Sequence, residues 1–360
     1  RISPRVHAPF SLCLKTLLKL LLTSMLFLLK ILVFVVSGSA FATPETLRAL
    51  SNLPKDFWQK KSITTQGDCR STIKDKLCLV ELPYIESNQA RPCVAGGKAY
   101  AEAFETLHDN FPPILQKVFC AVDVIYIETN FNGTGYGGTT PDRSKVILGV
   151  QKSALDAQMS LAAWASWKEQ LSFGGITTPY VITADLPQVR FQGSRQADGF
   201  LYFLIAHEFA HILDFANKIN DTTECGEAKE ECPMRSETWG SIGWATNVTP
   251  LSPNDFALRS GLCFYWCGDS ALRRENVLPI YDALYFNTDF LSIYATTQPW
   301  DDFADSLAYL LLKKNLEASY IVDSLQGPTY DIMAKIDSPI FRPKRQYLEK
   351  FLLRTDLIYP

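Results

Sequence analysis

Apolar and polar positions begin to alternate legibly near residue 98. Over residues 98–110, Tyr100, Phe104 and Leu107, with Phe111 just beyond, fall at helical spacing and predict an amphipathic helix. Pro112-Pro113 ends that helix and opens another that runs to about Phe119. AVDVIYIE, residues 121–128, alternates and is β-branched, which predicts a strand, and KVILGV, 145–150, reads as its partner. The glycine-rich stretch between them reads as a flexible hairpin loop. Its Gly133, Gly135 and Gly138 formally match G-x-G-x-x-G, but a dinucleotide fingerprint needs a helix next, and here a Pro-containing loop and a strand follow. Residues 153–171 predict a helix with Ser153 as N-cap, on which Trp164 and Trp167 share a packing face. QVRFQG, 188–193, predicts a short strand, whereas residues 54–96, with three Cys and scattered Pro and Gly, read as loop-rich.

The first 42 residues follow a different pattern. Arg1, Arg5, Lys15 and Lys19 precede a Leu-rich apolar run from about Leu20 to Val36, and Ala40-Phe41-Ala42 matches the A-x-A of signal cleavage. The run is nearly long enough to span a bilayer, so an uncleaved anchor is the rival expectation. Cleavage would remove five basic residues and no acidic one. The net charge of −3 then becomes −8, from 30 Lys+Arg against 38 Asp+Glu. An acidic protein without Lys/Arg clusters argues against nucleic acid as its partner. Stable membrane association is not expected after cleavage, and the expected location is secreted or periplasmic. The cysteines agree with export. Apart from Cys13, the eight are Cys69, Cys78, Cys93, Cys120, Cys225, Cys232, Cys263 and Cys267, an even number without paired C-x-x-C spacing. Disulfides between sequence neighbours are the expectation. Asn132, Asn220 and Asn247 stand in N-x-S/T sequons.

The chemistry concentrates in residues 199–217, GFLYFLIAHEFAHILDFAN, a strongly apolar helical segment whose start falls at Asp198 or Gly199. Burying His207, Glu208 and His211 in such a helix without partners would cost several kcal/mol. A metal ion satisfies them. His207 and His211 are four apart and leave the same helix face, where both imidazoles can bind one Zn2+. Glu208 stays close enough to deprotonate a zinc-activated water, which is the H-E-x-x-H mechanism. A catalytic zinc needs a third protein ligand. The extended metzincin motif would put Gly at 214 and His at 217; this chain has Asp214 and Asn217, so that class is rejected. Asp214, one turn beyond His211, is a candidate to accept a hydrogen bond from a ligand imidazole, or else serves the helix end.

Residues 293–309, IYATTQPWDDFADSLAY, supply the acid. Pro299 can start a helix, with Asp301 and Asp302 in its first turn and Asp305 four residues beyond Asp301. HEFAHILD followed by YATTQPWDDFAD resembles the gluzincin-type zinc metallopeptidases related to the catalytic domain of anthrax lethal factor. The resemblance covers roughly residues 197–217 and 291–312. It implies that Asp301 is the third zinc ligand, where relatives carry Glu, and that Tyr294 stabilises the oxyanion. Asp305 falls on a later acidic position of the same pattern. Asp302 is the alternative ligand.

These readings predict an α+β, zincin-like fold in which a small mixed sheet packs on the H-E-x-x-H helix and on a second ligand-bearing helix, stapled by disulfides. They divide the chain into a signal (1–42), an N-terminal Cys-containing region with the sheet (43–190) and a catalytic region (191–360) with a Cys-rich insert at 218–290. The insert is either a disulfide-stapled loop or a substrate-facing lid. The expected function is peptide-bond hydrolysis of protein or peptide substrates by a zinc metallopeptidase. Its metal ligands would be His207, His211 and Asp301, and Glu208 and Tyr294 its catalytic residues. A secreted binding or toxin-like protein with a vestigial zinc site is the alternative.

Overall fold

Four segments, three of them hydrophobic, meet to form the central sheet: β1 (Leu77–Val80), β2 (Val124–Glu128), β3 (Gly135–Thr139) and β4 (Val146–Gln151). The computed structural model describes residues 69–81, 92–131, 133–139, 146–157, 159–174, 180–193, 199–223, 231–264, 272–325 and 327–359. The segment read as an export signal, Cys225, Cys267, Asn132 and Asp198 lie outside them. Spatial order in the sheet is β1-β2-β4-β3. The first three run parallel, with Leu77 opposite Ile125 and Val124 opposite Ile147. β3 turns back antiparallel to β4 and ends the sheet, so the fold is α+β with a mixed sheet. β1, β2 and β4 are buried along their whole length, because helices and neighbouring chain cover both faces.

Two expectations change here. The strands expected over 121–128 and 145–150 do pair, but as parallel neighbours rather than as the two arms of a hairpin. The stretch read as a flexible loop contains β3. Glycines hid that strand, and packing accounts for them. A Cβ on Gly137 would lie 2.6 Å from the Glu208 carbonyl oxygen, and one on Gly135 would lie 3.1 Å from Leu204 Cδ1. β3 therefore presses its backbone against the helix that carries the H-E-x-x-H sequence, which no side chain would permit.

Helices α1 (Ala101–Asn110) and α2 (Pro113–Ala121) follow their expected bounds, with Pro113 in the first turn of α2. Residues 153–171 are not one helix. A short turn, Lys152–Asp156, breaks before α3 (Leu161–Leu171), and Ser160 rather than Ser153 is the N-cap, accepting a 3.2 Å hydrogen bond from Ala163 N. Trp164 and Trp167 are both buried. α4 (Gly199–Asn217) is the apolar helix foreseen, and it packs chiefly on α6 (Pro299–Leu316) and on β3. Between them in sequence comes α5 (Val277–Asn287), and α7 (Arg342–Phe351) closes the chain. A second, antiparallel sheet of order β5-β6-β7 joins β5 (Gln188–Gln192) to β6 (Ser319–Asp323) and β7 (Thr329–Asp331).

Two disulfides are nested: Cys78–Cys93 joins sequence neighbours as expected, whereas Cys69–Cys120 joins distant cysteines and encloses it. Strand pairing sets this arrangement. Val94 N donates to Leu79 O (2.9 Å), which brings Cys93 beside Cys78 on β1. Cys69 instead meets the end of α2, where Lys76 Nζ donates to the Cys120 carbonyl at 2.7 Å. Cys232 and Cys263 are disulfide-bonded as well.

Candidate metal centre

Two helices build the centre. On α4, His207 and His211 project from adjacent turns of one face, with their Nε2 atoms 3.1 Å apart. From the first turn of α6, Asp301 Oδ1 comes within 3.8 Å of His207 Nε2 and 3.4 Å of His211 Nε2. Two ligands about 2.05 Å from a tetrahedral zinc stand roughly 3.3 Å apart. The three observed separations bracket that value, so the donor set fits a metal ion, and its side chains are only 5–11% exposed. Asp301 enters from the start of α6, which packs closely along α4.

Asp305, one turn along α6, orients the first of these histidines. Its Oδ1 lies 2.8 Å from His207 Nδ1, and its other oxygen accepts a hydrogen bond from Ser292 Oγ. Burial works to raise the Asp305 pKa, but His207, Lys168 and Ser292 prevail and hold it below the ordinary carboxylate range. Such a carboxylate–imidazole pair leaves Nε2 free for a metal. At His211, burial disfavours the charged ring, but Asp301, Glu208 and Asp214 outweigh it and raise its pKa. A pocket that draws protons in this way also favours a cation.

Glu208 is 6% exposed, and burial raises its pKa above the usual carboxylate range. Among the described residues its carboxylate makes no hydrogen bond, so it stands beside the ligand set available as a base. Tyr294, in the turn Tyr294–Thr296 that leads into α6, brings its ring within 6.0 Å of the His207 ring. The turn is fixed at both ends. Ala295 N donates to Ser292 Oγ (2.9 Å), and Thr297 Oγ1 donates to the carboxylate of Asp301 (3.2 Å).

Asp302 is not a ligand. One residue on, it leaves α6 about 100° away. There it takes hydrogen bonds from Lys344 Nζ (2.6 Å), Trp239 Nε1 (3.1 Å) and Trp244 Nε1 (3.2 Å). Lys344 also meets Asp289 Oδ1 at 2.7 Å, and burial lifts the Asp302 pKa to about 7 despite the ammonium. Asp214 is not an imidazole acceptor either. It receives Asn220 N (2.7 Å) and Asn220 Nδ2 (2.6 Å) and so closes the end of α4. The same bond occupies the amide of the Asn220 sequon.

The insert reaches the centre. Phe264 packs edge-on against Tyr294 with ring centroids 4.9 Å apart, and Arg259 Nη1 donates to Thr296 O at 3.0 Å. Ser172, just past α3, donates to Cys263 O at 2.7 Å and anchors that segment. One further residue had no signal in the sequence. Lys168, on α3, holds its ammonium 3.4 Å from the Tyr294 ring centroid and 4.9 Å from that of Trp164. Burial pulls its pKa down while Asp305, Asp301, Glu208 and Glu169 oppose that shift. Nothing near Lys168 in sequence marks it, since Tyr294, Asp305, Asp301 and Glu208 are all distant along the chain.

A scan of family models, a search of curated proteins and a search of solved structures each found no match to this chain.

Proposed function

We propose that the protein is a zinc-dependent peptide hydrolase. The observation that carries this reading is the convergence of His207, His211 and Asp301 at tetrahedral ligand spacing, with the Glu208 carboxylate beside them. His207, His211 and Asp301 would hold the ion. When bound, zinc supplies a Lewis acid that polarises the scissile carbonyl and makes a water molecule acidic near neutral pH. Glu208 takes the proton of the attacking water and delivers it to the leaving amine. Tyr294 donates a hydrogen bond to the oxygen that becomes negative as the carbonyl is attacked. Asp305 keeps His207 in the tautomer that presents Nε2. β3 supports an extended peptide as the substrate, because it ends the sheet directly against α4 and offers a strand edge for pairing. The nested disulfides support an oxidising compartment, and hence export.

Purified protein is expected to carry about one zinc per chain and to cleave a peptide library in a chelator-sensitive manner. Glu208→Gln is expected to keep the metal and lose hydrolysis. Undiminished cleavage by that variant, or by zinc-free protein, would refute the mechanism. A metal-free protein that folds and binds a protein partner would favour the binding-protein alternative.

A further inference from the structure

Lys168 carries a consequence that the hydrolytic scheme does not use. Its ammonium is held over the Tyr294 ring and against Trp164, so its position is defined. It is partly buried, yet among the described residues it makes no hydrogen bond and has no carboxylate within ion-pair distance. An ammonium has three donors and needs acceptors when it leaves water. Other buried lysines of this protein satisfy that need: Lys344 on Asp302 and Asp289, Lys76 on the carbonyls of Phe119 and Cys120, and Lys335 on those of Leu284 and Phe290. Lys168 alone of these four has no hydrogen-bond or ion-pair partner among the described residues; its charge lies over Tyr294, in the field of Asp305, Asp301, Glu208 and Glu169.

We infer that Lys168 is the specificity residue for a carboxylate on the substrate, carried either by an acidic side chain flanking the scissile bond or by the peptide's own C-terminus. This rests on the peptidase reading above. A single ammonium matches a singly charged carboxylate. A phosphate would call for several donors or an arginine fork, and the nearby Arg259 is already engaged by Asp255 and by Thr296 O. The Tyr294 contact places the cation next to the residue assigned to the scissile carbonyl, so the recognised carboxylate lies close to the bond that breaks.

Matched peptides test this on the zinc-loaded full chain. One pair carries Glu or Gln on either side of the scissile bond, and a second ends in a free carboxylate or an amide. The acidic member of at least one pair is expected to show a kcat/KM about tenfold higher or more, and the responding pair identifies the source of the carboxylate. Lys168→Met is expected to bring the ratio near one, Lys168→Arg to preserve a preference, and Lys168→Glu to favour a Lys-containing peptide. Equal kcat/KM within both pairs for the unsubstituted protein overturns the assignment, and this comparison needs no variant to fold. Binding of the same peptides to zinc-loaded Glu208→Gln, measured by calorimetry, separates the two ideas. A preference for the acidic peptide without any cleavage by the unsubstituted protein supports Lys168 and sinks the peptidase reading alone. Equal affinities overturn the role of Lys168.

Discussion

Lys344→Met removes the only ammonium that partners Asp302 among the described residues. Lys344 is fully buried and lies 2.6 Å from Asp302 Oδ2 and 2.7 Å from Asp289 Oδ1. After substitution, the Asp302 carboxylate keeps the indole N–H groups of Trp239 and Trp244 but loses its countercharge. Breaking a buried pair from one side costs about 3–5 kcal/mol when the remaining group stays charged. Protonation limits that loss. With the Asp302 pKa lifted to about 7, taking up a proton at pH 7 costs only roughly 0.4 kcal/mol, whereas at pH 9 it costs about 2.7 kcal/mol. The electrostatic loss is therefore expected to approach about 2.7 kcal/mol at pH 9 and to be much smaller at pH 7. Urea unfolding of the full chain at both pH values reads the effect. The double variant with Asp302→Asn is expected to recover about 2 kcal/mol at pH 9 relative to the sum of the single losses. An equal loss at both pH values, a larger loss at pH 7, or strict additivity at pH 9 would refute the reasoning.

Three other substitutions probe the remaining parts. Asp305→Asn takes the anionic partner from His207 Nδ1 and is expected to weaken zinc binding about 10–100-fold in a chelator competition; an unchanged affinity would count against its orienting role. Gly137→Ala forces a Cβ to 2.6 Å from a backbone oxygen of α4 and is expected to cost about 1–3 kcal/mol. Gly135→Ala meets Leu204 Cδ1 at 3.1 Å and the Gly149 carbonyl at 3.2 Å, both looser contacts, and should cost less, so the reverse order in thermal melts would contradict the packing described. Glu169 is buried, and burial raises its pKa from 4.5 to about 7. A carboxyl raised on folding stabilises most below its unfolded value, and that contribution disappears as pH rises through the folded one. Glu169→Gln should therefore remove up to about 3 kcal/mol of the stability decline between pH 4.5 and 7, and an unchanged slope would refute the link.

What could be read from the chain follows the range of the forces involved. H-E-x-x-H on α4 was legible because helical geometry alone puts residues four apart on one face. Asp301 was legible only through an ordered pattern, since no local rule links it to His211 across 89 intervening residues. Whether Asp301 or Asp302 faces the histidines depends on Lys344, Trp239 and Trp244, which are far apart in sequence, so periodicity could not decide it. β1 and β3 escaped for opposite reasons. β1 has no polar alternation because it is buried throughout, and β3 has too few side chains to show any. The Cys connectivity depended on the strand pairing that brings Val94 to Leu79.

Asp301 and Asp302 are neighbours on one helical turn, and they tie two regions together. One faces the histidines, and the other clasps Lys344 and two tryptophans of the insert. A shortened chain without residues 218–290 would therefore not keep the centre intact. It would leave the Asp302 carboxylate without its indole donors at the turn that aims Asp301. Grafting this centre onto another scaffold requires carrying Trp239, Trp244 and Lys344 along with the metal ligands. The insert is as much a part of the centre's framework as the helices that bear those ligands.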